Sequence, residues 1–394
     1  MTSPTPLKGI RVVEFTHMVM GPTVGMTLAD LGAEVVKVEP APEGDTTRRL
    51  TGSGTGFYAA FGRGRRSLAV NMKTAEGMAL VQRLVARADV LVENFRPGAM
   101  AKLGLGYAEL SERHPRLVYC SCKGFLPGPY EHRTALDEVV QMMGGLAYMT
   151  GLEGRPLRAG SSVIDIMGGL SAVIGILAAL RERDTTGQGG EVQAGLFETV
   201  ALLMAQHMAQ TRITGTAPRP MSVRLPAWPV YDIFDTADGG QVFVGVVTDT
   251  QWPAFCNAFD LADMASDPTL ATKQQRVEAR ERTLPRIAAV LKRWTKPDLM
   301  AKCEALGLPF APIGKPADLF DDPHLNGSGG LVPMTLPDGR QIALPALPVS
   351  LDGARPGGTG DLRAPGADGA SVAAELGYSE AEIAALREKG VITG

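Results

Sequence analysis

The chain has 394 residues, 45% hydrophobic and 21% charged, a globular balance that excludes disorder over most of its length. Its 39 Lys and Arg stand against 42 Asp and Glu, a net charge of -3. No general basic excess exists to hold nucleic acid or an anionic membrane, so an anionic ligand needs a local basic pocket.

In chain order, Ile10–Phe15 reads as a strand, Pro22–Leu31 as a helix ended by Gly32, and Glu34–Val38 as a second strand. Thr74–Arg87 reads as helix, Asp89–Glu93 as strand, Tyr107–His114 as helix and Leu117–Ser121 as strand. Strands alternating with helices imply parallel βαβ units with right-handed crossovers. The first 125 residues are therefore expected to form an open, doubly wound α/β sheet that binds ligands beyond the carboxyl ends of its strands. Glu138–Met149 and Gly168–Arg183 read as helical. The apolar stretch Val163–Leu180 carries Asp165 and several glycines, and reads as a buried core helix rather than a membrane span. Val192–Thr211 reads as one long apolar helix, and the proline-rich Pro218–Pro229 as a boundary. Tyr231–Phe234 and Gln241–Val247 flank Asp238-Gly-Gly240, a hairpin signal. Trp252–Phe259 and Gln274–Trp294 read as helices of a smaller α+β domain. Gly327–Pro348 reads as strand and turn, and Ser379–Lys389 as an amphipathic helix.

Cys120, Cys122, Cys256 and Cys303 are too few and too scattered for a disulfide framework and lack zinc-site spacing, so no metal is expected. Met1–Lys8 has no basic region leading into an apolar core, and a cytoplasmic protein is expected. The turn Thr16–Pro22 is not G-x-G-x-x-G, which leaves Glu39 without the fingerprint of a dinucleotide enzyme, and no P-loop is present.

Asp137 and Asp165 each precede a helical run. By spacing alone, helix N-capping outweighs catalysis for both. A capping carboxylate is held ionised by the helix dipole, and beside glycine-exposed amides it is also a plausible nucleophile next to an oxyanion site. A basic set stands in Arg63-Gly-Arg-Arg-Ser67, Lys73, Glu93-Asn-Phe-Arg-Pro-Gly98 and Lys102. Loops at the carboxyl edge with Arg and Lys hold phosphates, and a solvated charge run explains the same residues equally well.

At these positions the sequence resembles the class III CoA-transferases, the family that includes formyl-CoA transferase and α-methylacyl-CoA racemase. The resemblance runs through Leu7–Phe15, Leu28–Glu39, Arg66–Lys73, Glu93–Ala99, Lys102–Gly104 and Thr186–Gly190. It implies a Rossmann-like open parallel sheet in a large domain (1–200 and 330–394), a linker (201–225) and a small α+β domain (226–329), in an interlocked homodimer. It places the catalytic aspartate on Asp165 and a second acid on Asp137. It places coenzyme A on the backbone of His17, Met18, Val19 and Met20, its adenine end on Val70, Met72 and Lys73, and its phosphates and pantetheine on Asn94, Phe95, Arg96 and Lys102. Two departures stand out: a family arginine falls on Pro40, with Arg48, Arg49 or Arg65 as replacements, and the racemase histidine falls on Leu136, which cannot abstract a proton.

The resemblance implies an acyl-CoA:carboxylate CoA-transferase. Its donor would be succinyl-CoA and its acceptor an organic acid, with acyl groups passing through Asp165 and the CoA thioester as substrate rather than resident cofactor. The alternatives are an acyl-CoA racemase or isomerase and a non-catalytic CoA-binding subunit.

Overall fold

The computed structural model describes residues 3–224, 226–357 and 360–394. The chain divides into two compact units, one running through Ser222 and including Pro323–Gly394, the other spanning Val223–Asp322.

The first unit is built on six strands: β1 (Arg11–Phe15), β2 (Glu34–Pro40), β3 (Arg66–Val70), β4 (Val90–Glu93), β5 (Val118–Lys123) and β6 (Gly190–Gly195). All neighbours pair in parallel, in the order β3-β2-β1-β4-β5-β6. Strand order reverses between β1 and β4, and ligands of doubly wound sheets bind at such a switch point. Its helices up to residue 222 are α1 (Met20–Asp30), α2 (Phe57–Phe61), α3 (Ala75–Val85), α4 (Ala99–Lys102), α5 (Tyr107–Arg113), α6 (Asp137–Met143), α7 (Leu146–Thr150), α8 (Val163–Thr186), α9 (Leu196–Leu203) and α10 (Ala205–Thr214), and short helices at Gly369–Glu375 and Glu380–Glu388 stand near the chain end.

The central strands are near-continuous apolar runs because both sheet faces are covered. On one face Val12, Val90, Val92, Val118 and Cys120 pack with Val24 and Leu28 of α1 and Ala172, Val173 and Ile176 of α8. On the other, Val13, Phe15, Leu91 and Tyr119 pack with Leu80, Val81 and Leu84 of α3 and with Ile383, Leu386 and Ile392 near the chain end. The chain end lies against β3: the Asn71 N–H donates to the Val391 carbonyl (2.8 Å) and the Thr393 N–H to the Ala69 carbonyl (3.1 Å).

Three expectations change. Residues 190–195 are the edge strand β6, and α9 and α10 follow it, so Val192–Thr211 is not one helix. Glu191, Val192, Gln193 and Ala194 alternate polar and apolar, the period of a strand, and they pair with β5 before the apolar α9 begins. α8 is long and apolar enough to cross a membrane by length and composition, yet only one of its faces is buried. Ile174, at 69% exposure, and Leu177 point away from the sheet, so the helix is a core helix on one side only. α10 lies inside the segment read as a linker, and residues through Ser222 cluster with the first unit.

The second unit holds β7 (Val230–Asp235), β8 (Gln241–Val246) and β9 (Phe310–Pro312) in an antiparallel sheet, with the hairpin at Asp238-Gly-Gly240. Its core joins Val242, Val244 and Val246 to Trp252, Phe255, Phe259, Ile287, Leu291 and Leu299.

Candidate active site

The loops after β1 and β4 meet at the switch point. The His17 N–H donates to Asn94 Oδ1 (3.0 Å), and Asn94 Nδ2 donates back to the His17 carbonyl (2.8 Å). The Phe95 ring lies 5.7 Å from the His17 ring. Met18 is held at φ 63°, a left-handed conformation costly for a residue with a Cβ, and its N–H donates to Thr47 Oγ1 (2.9 Å). Strain of this kind persists only where neighbours over-determine it. Burial lowers the His17 pKa, opposed by the Asp45 charge, and Nδ1 is buried with no hydrogen-bond partner among the described residues.

Beneath this loop lies a buried ionic cluster. Lys37 donates to the Thr16 carbonyl and pairs with Asp45 (3.1 Å) and Glu14 (3.6 Å); Arg65 pairs with Glu14 (3.0 Å). Arg48 grips Glu39 (2.7 Å) and lies over the Tyr58 ring. Burial pushes the Glu39 and Asp45 carboxyls up, but Arg48 and Ser67 in the first case, and Lys37 and Thr47 in the second, bring both below the ordinary range. These are structural roles for Arg48 and Arg65. Arg63 is likewise buried, paired with Asp30 at 2.6 Å, and it precedes β3 rather than following it. The reading of Arg63-Gly-Arg-Arg-Ser67 as a phosphate-holding run at the carboxyl edge is therefore corrected: its members are sheet-supporting pairs.

Asp165 sits in the first turn of α8, three residues after Ser162, and Asp137 is the first residue of α6 after Leu136; neither is the N-cap of its own helix. Asp137 caps a different helix. Its Oδ2 accepts from the N–H groups of Ile164 (2.8 Å) and Asp165 (3.1 Å), donors that α8 leaves free in its first turn. Its Oδ1 accepts from Gln141 Nε2, while Gln141 Oε1 accepts from the Ala159 N–H (2.8 Å). Arg158 pairs with Glu138 and lies 4.0 Å from Asp137.

The Asp165 carboxyl has no hydrogen-bond or ion-pair partner within the protein among the described residues. Burial first, and the neighbouring Asp137 charge second, raise its pKa to about 7 against the opposing pull of Arg158. The expectation of a carboxylate held fully ionised by its helix is thereby corrected: burial and a like charge outweigh the dipole.

Gly168 and Gly169 bring α8 against α1. A Cβ on Gly169 would stand 2.7 Å from the Met20 carbonyl oxygen and 2.8 Å from Thr23 Cβ, and one on Gly168 would stand 2.9 Å from Met20 Cε. Asp165, one turn earlier on α8, is thereby set at the end where α1 begins with Met20, just after the His17–Val19 loop.

The structure thus gathers His17, Met18, Val19, Met20, Asn94 and Phe95 at the switch point. Val70 ends the outer strand β3 with its side chain buried against Ile392, and Met72 follows the strand. Lys73, Arg96 and Lys102 are exposed and have no ion-pair partner among the described residues. Pro40 ends β2, and the neighbouring Arg48 is committed to Glu39. Gln141 and Arg158 were not singled out from the sequence; their partners lie across a loop, and only a glutamine one turn after Asp137 offered a hint.

Residues 7–368 match the model of CoA-transferase family III. A succinate–glutarate CoA-transferase of Agrobacterium fabrum is 36% identical over 86% of this chain and 87% of its own. A succinyl-CoA–D-citramalate CoA-transferase of Chloroflexus aurantiacus is 33% identical over 99% of this chain and 98% of its own. The crystal structure of a CaiB/BaiF family protein from Brucella suis, 34% identical, superposes with a TM-score of 0.83 over 95% of this chain and 100% of that one. The fold, the switch-point loops and these likenesses lead to one conclusion: the chain belongs to CoA-transferase family III and is a CoA-transferase.

Proposed function

We propose that this CoA-transferase moves CoA from succinyl-CoA to a second carboxylic acid by acyl transfer through Asp165. The observation that carries the reading is a carboxyl group with no partner and a pKa near neutrality, set beside the His17–Met20 loop. The ionised oxygen of Asp165 attacks the thioester carbonyl, giving a succinyl-aspartyl anhydride and the CoA thiolate. The thiolate attacks the aspartyl carbonyl, releasing succinate and leaving an aspartyl-CoA thioester. The acceptor carboxylate attacks that thioester, forming a second anhydride and freeing the thiolate. The thiolate then takes the acceptor acyl group, and Asp165 regains its carboxylate. Each step exchanges one activated acyl group for another, so the sequence needs no outside energy, but water must be kept out.

The free cations Lys73, Arg96 and Lys102 suit the phosphates of CoA, and the backbone of His17–Met20 suits its pantetheine end. Glutarate and D-citramalate appear in the names of similar proteins, which favours a dicarboxylic acceptor. We also place two copies of the chain in an interlocked dimer. In support of this, large apolar side chains are exposed at Leu136 just before α6, Met142 on α6, Ile174 on α8, Leu202 on α9, and Met208 and Ile213 on α10. Light scattering at twice the chain mass is the expected result, and a monomer at micromolar concentration removes the dimer.

Purified protein incubated with succinyl-CoA and a panel of dicarboxylic acids is expected to yield the acceptor thioester without accumulating free CoA, and Asp165→Ala is expected to yield none. Deuterium uptake at the α-carbon of a branched acyl-CoA, with no CoA exchange, would point to an isomerase instead. Failure of the pure chain to exchange CoA alone would point to a non-catalytic subunit.

A further inference from the structure

Asp137 is one of two acids that meet at the start of α8, and its oxygens are engaged by three donors. Two are main-chain N–H groups of α8, at Ile164 and at Asp165 itself. The third is the amide of Gln141, a fully buried side chain one turn further along α6. The other end of that amide is fixed as well, accepting from the Ala159 N–H in the loop that leads into α8. Gln141 therefore ties three pieces of backbone together: α6, the segment before α8, and, through Asp137, the first turn of α8 that carries Asp165. Both oxygens of this carboxylate are thereby committed to holding backbone and amide groups.

We infer that Gln141 is a positioning residue of the transfer reaction, acting through Asp137 and Ala159 to fix the orientation of the Asp165 carboxyl, and that Asp137 serves in the same clamp rather than as an acid or base. The inference rests on the acyl-transfer reading of Asp165. Its physical basis is that near-attack geometry tolerates little error: a displacement of about 1 Å costs about 100-fold in rate. Glutamine suits the position because one side chain supplies a donor toward Asp137 and an acceptor toward Ala159. Leucine supplies neither, and glutamate keeps the acceptor but turns a second carboxylate on Asp137.

The charged groups facing Asp165 are Asp137 on α6 and Arg158 on the preceding loop, with Glu138 paired to Arg158. The elements packed beside Gly168 and Gly169 bring Met20 and Thr23 from α1, and Leu196 and Thr199 from α9, none of them charged. Among the described residues, Arg158 is the cation at hand to offset a new negative charge at 141.

The test is steady-state kinetics of Gln141→Leu and Gln141→Glu in the full-length protein, together with the pH midpoint of the Asp165 carboxyl followed by NMR on the resting enzyme. Gln141→Leu is expected to lower kcat about 100-fold while changing KM for succinyl-CoA less than about 3-fold, because the clamp holds the backbone that carries the reacting group and not the CoA loops. Gln141→Glu, nearly isosteric and the fallback where the leucine variant does not fold, is expected to move the Asp165 midpoint upward. Parent-like kcat in both variants with an unmoved midpoint overturns the inference, and so does a loss carried by KM alone. Absence of transfer by the parent protein, or transfer that survives Asp165→Ala, counts instead against the acyl-transfer reading. In that case the NMR midpoint still decides the clamp.

Discussion

Two groups of buried acids stand at the carboxyl end of one sheet, and the protein treats them in opposite ways. Around β1 and β2, Glu14, Glu39 and Asp45 are met by Lys37, Arg65 and Arg48 at close range, and the Glu39 and Asp45 carboxyls fall below their ordinary range. At the start of α8, the partly buried Asp165 stands beside the buried Asp137 with Arg158 as the one nearby cation among the described residues, and its pKa rises to about 7. The first group is paired and holds a strained loop in place. In the second, the carboxyl is left without a partner, the state the proposed nucleophile calls for. Residue type is the same in both, and the placement of cations separates scaffold from reactivity.

The largest expected break of this contrast is Asp165→Ala, which should lower transfer by about 10⁴-fold or more in a coupled thioester assay while leaving CoA affinity within a few fold. In the paired group, Lys37→Met should leave Glu14 and Asp45 buried with too little positive charge, at a cost of about 3–5 kcal/mol in urea unfolding. A cost below about 1 kcal/mol would show that the cluster is less dependent on its lysine than its geometry indicates.

Linkage sharpens the comparison. The raised pKa of Asp165 means that the folded chain keeps this proton to higher pH than the unfolded chain does. Stability from this group is therefore greatest below the unfolded value near 4 and is lost as pH rises toward about 7. Asp165→Asn should be more stable than the parent by on the order of 2–4 kcal/mol at pH 8, with the gain vanishing at pH 4, by chemical denaturation at both pH values. The smallest expected effect is the pH shift in Asp137→Asn, seen beside the loss of kcat that follows from disturbing the Gln141 contact. Removing its charge should move the acidic limb of the kcat profile to lower pH, since that charge is the second cause of the Asp165 shift after burial.

Much of the sheet was legible in the sequence because apolar runs of four to six residues alternate with helical periods. β3 and β6 were not: Arg66–Val70 follows directly on a run of arginines, and the polar/apolar alternation of Glu191–Ala194 is a short stretch that leads straight into the apolar α9, with its partner β5 far back in the chain. The position of Asp165 followed from family resemblance. Its environment did not: Asp137 caps a helix 27 residues downstream, and neither that contact nor the Gln141–Ala159 link leaves a local pattern. The same non-locality hid the roles of Arg63 and Arg65, whose partners Asp30 and Glu14 lie 33 or more residues earlier. Gly168-Gly169 was visible as a pair, but only the approach of Met20 and Thr23 explains why the pair is needed.

Intact-mass spectrometry after mixing the protein with succinyl-CoA and hydroxylamine bears most directly on the role of the unpaired carboxyl. A hydroxamate at Asp165, found by peptide mapping and lost in Asp165→Ala, is the expected result. An adduct at another side chain, or an unmodified protein that still transfers CoA, would contradict it.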